Sequence, residues 1–143
     1  MKKILLICGE PERLLSALQS LKAQHDVDLA DSVPSVLNCS KLHEDEGGLD
    51  FYDLIIMDPE LDPDLLYEDK ETDSGKQTGW FLYGDFMEDL KTPIVIWTFF
   101  PEEYVYKTSH YPKRKWKENV VGIIKKSYSD DALLKIAAEY SRE

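Results

Sequence analysis

Cysteine is scarce in this chain of 143 residues. Cys8 and Cys39 are the only two, too few for a disulfide scaffold or a zinc cage. Long apolar runs are also missing. The N-terminal stretch Lys-Ile-Leu-Leu-Ile-Cys meets Gly-Glu-Pro instead of a small-residue cleavage site, and no segment is apolar for the length of a membrane span. A soluble, cytoplasmic protein is expected, with no membrane partner. Basic charge is in deficit, with 17 Lys and Arg against 28 Asp and Glu and a net charge of −11. That disfavours whole-surface affinity for nucleic acid or anionic lipid. Internal repeats and low-complexity tracts are absent.

What remains has a globular composition, 43% hydrophobic and 31% charged, and its length suits one domain over residues 1–143. The acidic excess is local. Residues 44–73 hold thirteen acids and one base, Lys70, so the rest of the chain is close to neutral.

Strands and helices alternate. Lys3 to Cys8 is a continuous apolar run of the kind covered on both faces of a sheet. Pro11 then opens a helical stretch with Leu14, Leu15, Leu18 and Leu21 at helical spacing. Val27 to Ala30 reads as a short second strand. Pro34 to Leu42 reads as a helix entered from Ser32 and broken by Gly47-Gly48. Leu54 to Met57 is a third buried strand, ending at Asp58. A polar loop near 59–78, with Pro59, Pro63 and Gly75, separates it from the apolar stretch Trp80 to Leu90. Pro93 to Thr98 and Val120 to Ile124 are the fourth and fifth strands. Ser129 is placed to cap a last helix whose inner stripe is Leu133, Leu134, Ile136, Ala137 and Tyr140.

Five apolar strands alternating with helical stretches imply a parallel α/β sheet with helices on both faces. Chemistry in such folds gathers at the carboxyl ends of the strands. Here those ends carry Cys8-Gly9-Glu10, Asp58, Thr98 and Lys126. An acidic loop in which Asp58, Glu60, Asp62, Asp64 and Asp69 echo calcium-ligand spacing has Pro63 where such a loop turns on glycine, which argues against calcium.

An aspartate, a hydroxyl and a lysine at one sheet edge resemble the receiver domain of bacterial response regulators. ILLICGEPERLL is similar to its first strand and helix, YDLIIMDPELDP to its third strand, TPIVIWT to its fourth, and GIIKKSYSDDALL to the segment that bears its lysine. The resemblance implies a flavodoxin-like, CheY-like three-layer sandwich with strand order 2-1-3-4-5. It implies Asp58 as phosphoacceptor, Thr98 as the hydroxyl that follows the phosphoryl group, and Lys126 as the cation paired with it. It also implies a signalling domain and not an enzyme, beyond self-catalysed phosphoryl transfer to Asp58.

One part of the pattern is degenerate. The receiver's acidic pair after the first strand is replaced by Cys8 and Gly9, so a Mg²⁺ site would rest on Glu10, Asp58 and the backbone carbonyl of Glu60. Such a site is expected to be weak, because a hard cation wants several oxygen ligands. The expected function is a stand-alone, atypical receiver in two-component-type signal transduction, a phosphoprotein acting by partner binding under the control of Asp58. Its expected partners are a histidine kinase or phosphotransfer protein and a downstream target. The rival is a phosphorylation-independent interaction module that keeps the fold alone.

Residues 107–117, with five bases, no acids, Tyr111 and Trp116, stand apart in sign. As a basic patch they offer thin support for nucleic acid. Their plain reading is a solvated charged helix end or loop; the functional one is a docking segment for an acidic partner or for the chain's own acidic loop, with any homodimer running through the fourth-helix and fifth-strand face.

Overall fold

β1 (Lys3–Ile7) is apolar at four consecutive positions, and all four are fully buried. A strand of that kind needs cover on both faces. The computed structural model, which describes residues 1–67, 78–99 and 116–143, supplies it. After β1 come a tight turn at Pro11–Leu14, α1 (Leu15–Gln24), β2 (Asp26–Ala30), α2 (Val33–Leu42) and β3 (Leu54–Met57). The remaining elements are a short turn of helix α3 (Asp64–Tyr67), α4 (Thr78–Phe86), β4 (Ile94–Thr98), β5 (Val120–Lys125) and α5 (Ala132–Tyr140). The strands pair in parallel in the order β2-β1-β3-β4-β5, the flavodoxin-like order expected.

The period-two alternation of the strands divides the core. Ile4, Leu6, Leu54, Ile56, Val95 and Trp97 face α1 and α5, meeting Leu18, Leu21, Leu133 and Ile136. Leu5, Ile7, Ile55, Met57, Ile94 and Ile96 face the other way, toward Val33 and Val36 of α2 and Phe81 and Leu82 of α4. Each such aliphatic side chain contributes about 1.5–3 kcal/mol through burial. Among the described residues no helix is long and apolar enough to cross a membrane.

Local signals act as chemistry dictates. Ser32 caps α2, its hydroxyl accepting from the Ser35 N–H while the Ser35 hydroxyl accepts from the Ser32 N–H. The last helix starts later than its serine suggests. Its N-cap is Asp131 and not Ser129, because Asp130 and Asp131 lie in a turn closed by the Ala132 N–H on the Ser129 carbonyl at 3.2 Å; the Asp131 carboxylate makes no cap bond and pairs with Lys135. Arg142 folds back beneath the sheet, donating to the carbonyls of Asp50 (2.5 Å) and Tyr52 (2.8 Å).

The acidic stretch is split by β3. Residues 44–53 lie at the amino-terminal end of the sheet, where their acids stitch backbone together: Asp50 accepts from the N–H groups of Lys91 and Thr92, and Asp53 from that of Lys3. Only the part after β3 begins beside Asp58. Of the basic segment, Lys107 to Lys115 lies outside the described residues. Trp116, named with Tyr111 as an aromatic of the basic patch, meets the rings of Trp80 and Tyr83 edge-on at 4.3 and 4.8 Å between ring centres. Lys117 pairs with Glu88 at 3.3 Å and Asp89 at 3.5 Å.

Candidate functional site

In this strand order the chain leaves β1 in opposite directions, toward β2 and toward β3, which opens a crevice at the carboxyl ends of β1 and β3. Asp58 stands there, one residue past β3, its N–H tied to the Ile7 carbonyl at 2.9 Å. Lys126, one residue past β5, has its N–H on the Thr98 carbonyl at 2.8 Å. That bond hangs the lysine from the end of β4 and sends its side chain across the strand ends. Its ammonium reaches Asp58 Oδ2 at 2.5 Å, both side chains being nearly buried. The other carboxylate oxygen, Oδ1, accepts the Glu60 N–H at 3.0 Å.

The lysine sits in an apolar collar. Its nitrogen lies 5.1 Å from the centre of the Trp97 ring and 5.3 Å from that of Phe99, close enough for cation–π attraction. Burial alone would push the Lys126 ammonium down, yet the Asp58 charge and hydrogen bond hold it above the ordinary lysine value. Thr98 is buried at the end of β4 beside this pair.

Cys8 occupies the strand-end position opposite. Its sulfur accepts from the lysine at 3.7 Å, and burial pushes the thiol above its usual range. A fully buried, neutral thiol reacts slowly. In the native protein Cys8 is therefore expected to resist a disulfide reagent until the chain opens, with the partly exposed Cys39 modified first. Mass spectrometry of the labelled cysteines checks the order, and Cys8 reacting first would mean that the lysine does not cover it.

Above the pair lies a cleft of about 380 Å³, walled by Gly9, Glu10 and Arg13 on one side, Glu60, Leu61 and Asp62 on another, and Phe99 and Tyr128 on the third. Gly9 permits a close approach, because a Cβ there would sit 3.2 Å from the Glu60 carbonyl oxygen, tighter than ordinary contact. Glu10 lines the cleft, but its carboxylate is turned to Arg13, 3.1 Å from Nε.

The fold implies a divalent cation at this edge, and the donors as arranged do not fit one. The Asp58 carboxylate is bonded on one side to an ammonium and on the other to an N–H, Glu10 is turned to a guanidinium, and a thiol stands in an acid's place. Among the described residues no group of three or more His, Cys, Asp or Glu side chains is gathered to hold a metal ion. Glu10, Asp58 and the Glu60 backbone therefore meet at one cleft without forming a ligand set.

Of the residues singled out from sequence, Asp58, Lys126 and Thr98 converge on the ends of β3, β5 and β4, and Glu10 and Glu60 reach the rim. Three participants escaped sequence reading: Arg13, Phe99 and Tyr128. The last two follow Thr98 and Lys126 by one and two residues, so the strand-end rule that found their neighbours reaches them too. Arg13 sits within a proline-led turn, where no spacing announces it.

The chain thus has the fold of response-regulator receiver domains. TrrA of Thermotoga maritima, solved in complex with Mg(2+)-BeF, is 21% identical, with a TM-score of 0.54 over 98% of this chain and 99% of that one. The same protein in complex with the histidine kinase ThkA also matches, at a TM-score of 0.50. The signal receiver domain of a putative Luxo repressor protein from Vibrio parahaemolyticus is 18% identical, with a TM-score of 0.55 over 97% of this chain and 88% of that one. No family model and no curated protein sequence matches the chain.

Proposed function

We propose that the chain works as a receiver-type signalling domain in which Asp58 accepts a phosphoryl group and partner binding reads the result. The observation that carries this reading is the buried Asp58–Lys126 pair at the floor of an open cleft. A carboxylate oxygen of Asp58 attacks phosphorus of an acyl phosphate or a phosphohistidine. The bond from phosphorus to the leaving group breaks, the leaving group departs with its electron pair, and an aspartyl phosphate remains. Lys126 then has a phosphoryl oxygen to pair with in place of Asp58 Oδ2, and Thr98 supplies a hydroxyl at the next strand end. Moving that pair alters the collar of Trp97 and Phe99, which is how a local charge becomes a surface signal. The kinase complex of a protein with this fold supports a histidine kinase or phosphotransfer protein as donor, with a separate protein as target.

Incubation of the full chain with acetyl phosphate is expected to add the mass of one phosphoryl group, lost in Asp58→Asn. The replacement of an acidic pair by Cys8 and Gly9 favours a second reading, a phosphorylation-independent interaction module. No mass gain from any phosphodonor, with partner binding indifferent to Asp58→Asn, would decide for that second reading.

A further inference from the structure

Phosphoryl transfer to Asp58 brings a multiply charged group into a cleft whose described walls already carry Glu10, Glu60 and Asp62. Elsewhere a divalent cation would screen those charges, but the donors here do not form its site. Lys126 starts paired with the Asp58 carboxylate and afterwards meets one phosphoryl oxygen, which leaves the other oxygens to be matched. One further cation lines the same cleft among the described residues, Arg13.

Its setting suits that task. Arg13 stands on the turn directly after β1, within the wall that closes over Asp58. Glu10 holds it at the rim, at 3.1 Å, and Tyr128 lines the same rim. The Tyr128 ring in turn meets Phe99 edge-on at 5.3 Å, and Phe99 lies against the Lys126 ammonium. The guanidinium thus shares the rim with the aromatic pair that borders the lysine. Its bond to Glu10 is solvent-exposed, with both side chains more than half accessible, so exchanging that carboxylate for a phosphoryl oxygen costs little. A planar fork of N–H donors also matches two phosphoryl oxygens at once.

Resting on the phosphoacceptor reading above, we infer that Arg13 takes the place of the divalent cation, binding the phosphoryl oxygens as Asp58 attacks, so that phosphorylation is independent of metal. Glu10 is then the resting counter-ion of Arg13 and not a metal ligand. The chemistry is balanced without a proton: the Asp58–phosphorus bond forms, the bond from phosphorus to the acetate oxygen breaks, and acetate leaves with the electron pair while Arg13 and Lys126 stay charged.

The test uses the full chain with acetyl phosphate, followed by intact mass, in EDTA and in Mg²⁺. The wild type is expected to be phosphorylated at the same rate in both. Arg13→Ala should slow the reaction about 10- to 100-fold, the effect of losing one charge-assisted donor group. Arg13→Lys should recover part of the rate, and Lys135→Gln, an exposed lysine outside the cleft lining, should show none of the loss. Circular dichroism confirms that Arg13→Ala is folded, as expected for an exposed side chain. Phosphorylation that survives Arg13→Ala unchanged, or that EDTA abolishes in the wild type, overturns the inference and leaves Asp58 as acceptor. No phosphorylation of the wild type in either condition overturns both.

Discussion

Lys126→Met should lower the stability of the folded protein by about 3 kcal/mol, the low end of what breaking a buried ion pair costs. The substitution keeps an unbranched apolar stem and removes the Nζ that the Trp97 and Phe99 rings face. What is lost is the charge that neutralises Asp58, which among the described residues keeps the Glu60 N–H as partner. The cleft above admits water, which is why the upper end of the range is not expected. Asp58→Asn added to Lys126→Met should recover much of the loss, because the uncompensated charge then disappears as well. Urea unfolding of the single and double variants measures both, and a double variant as unstable as the sum of two singles would mean that the pair is not coupled. The pH dependence has a defined sign. The folded-state value of Lys126 lies above its unfolded value, so its contribution is complete below the ordinary lysine range, near pH 10, and falls away as pH rises through the raised value. That alkaline loss should be missing from Lys126→Met.

Gly79→Ala should be nearly as damaging, by about 3 kcal/mol, although it adds one methyl group. A Cβ at Gly79 would lie 2.5 Å from the Pro59 Cα and 2.9 Å from its Cβ, a collision with backbone that no rotamer change relieves. The first turn of α4 is docked there, with the Gly79 N–H donating to the Pro59 carbonyl at 2.8 Å. Relieving the clash means moving α4 off the turn that aims Asp58, so phosphorylation should fall together with stability. Gly122→Ala is the informative contrast. Its Cβ meets the Tyr140 ring at 3.1 Å, the far end of a side chain that can turn aside, and a loss below about 1 kcal/mol is expected. Equal urea midpoints for Gly79→Ala and wild type would show that α4 is free to move from the site.

Both predictions concern residues whose importance is unevenly written in the chain. Periodicity alone marked the strands: an unbroken run such as Leu54 to Met57 is stable only with both faces covered, and alternation with helical stretches then leaves a parallel sheet as the economical arrangement. Asp58 and Thr98 were legible for the same reason, since each polar residue closing an apolar strand must emerge at one edge, whereas the choice of Lys126 over Lys125 came from the resemblance. The order of the strands came from resemblance, as period-two patterns say nothing about neighbours. Gly79 gave no sign of its role, because a glycine's need is set by what backbone approaches it from elsewhere, here Pro59.

The sequence by itself therefore determined the elements, their burial and the edge on which the chemistry-bearing residues gather, because these depend on the order of side chains along one strand. The tertiary structure decided what those residues do to one another. It turned Glu10 away to Arg13, set Cys8 under the lysine, sent residues 44–53 to the far end of the sheet and buried the Trp116 edge against Trp80 and Tyr83. Each of these is a contact between segments distant along the chain, and its geometry depends on how whole layers pack, which no local pattern encodes.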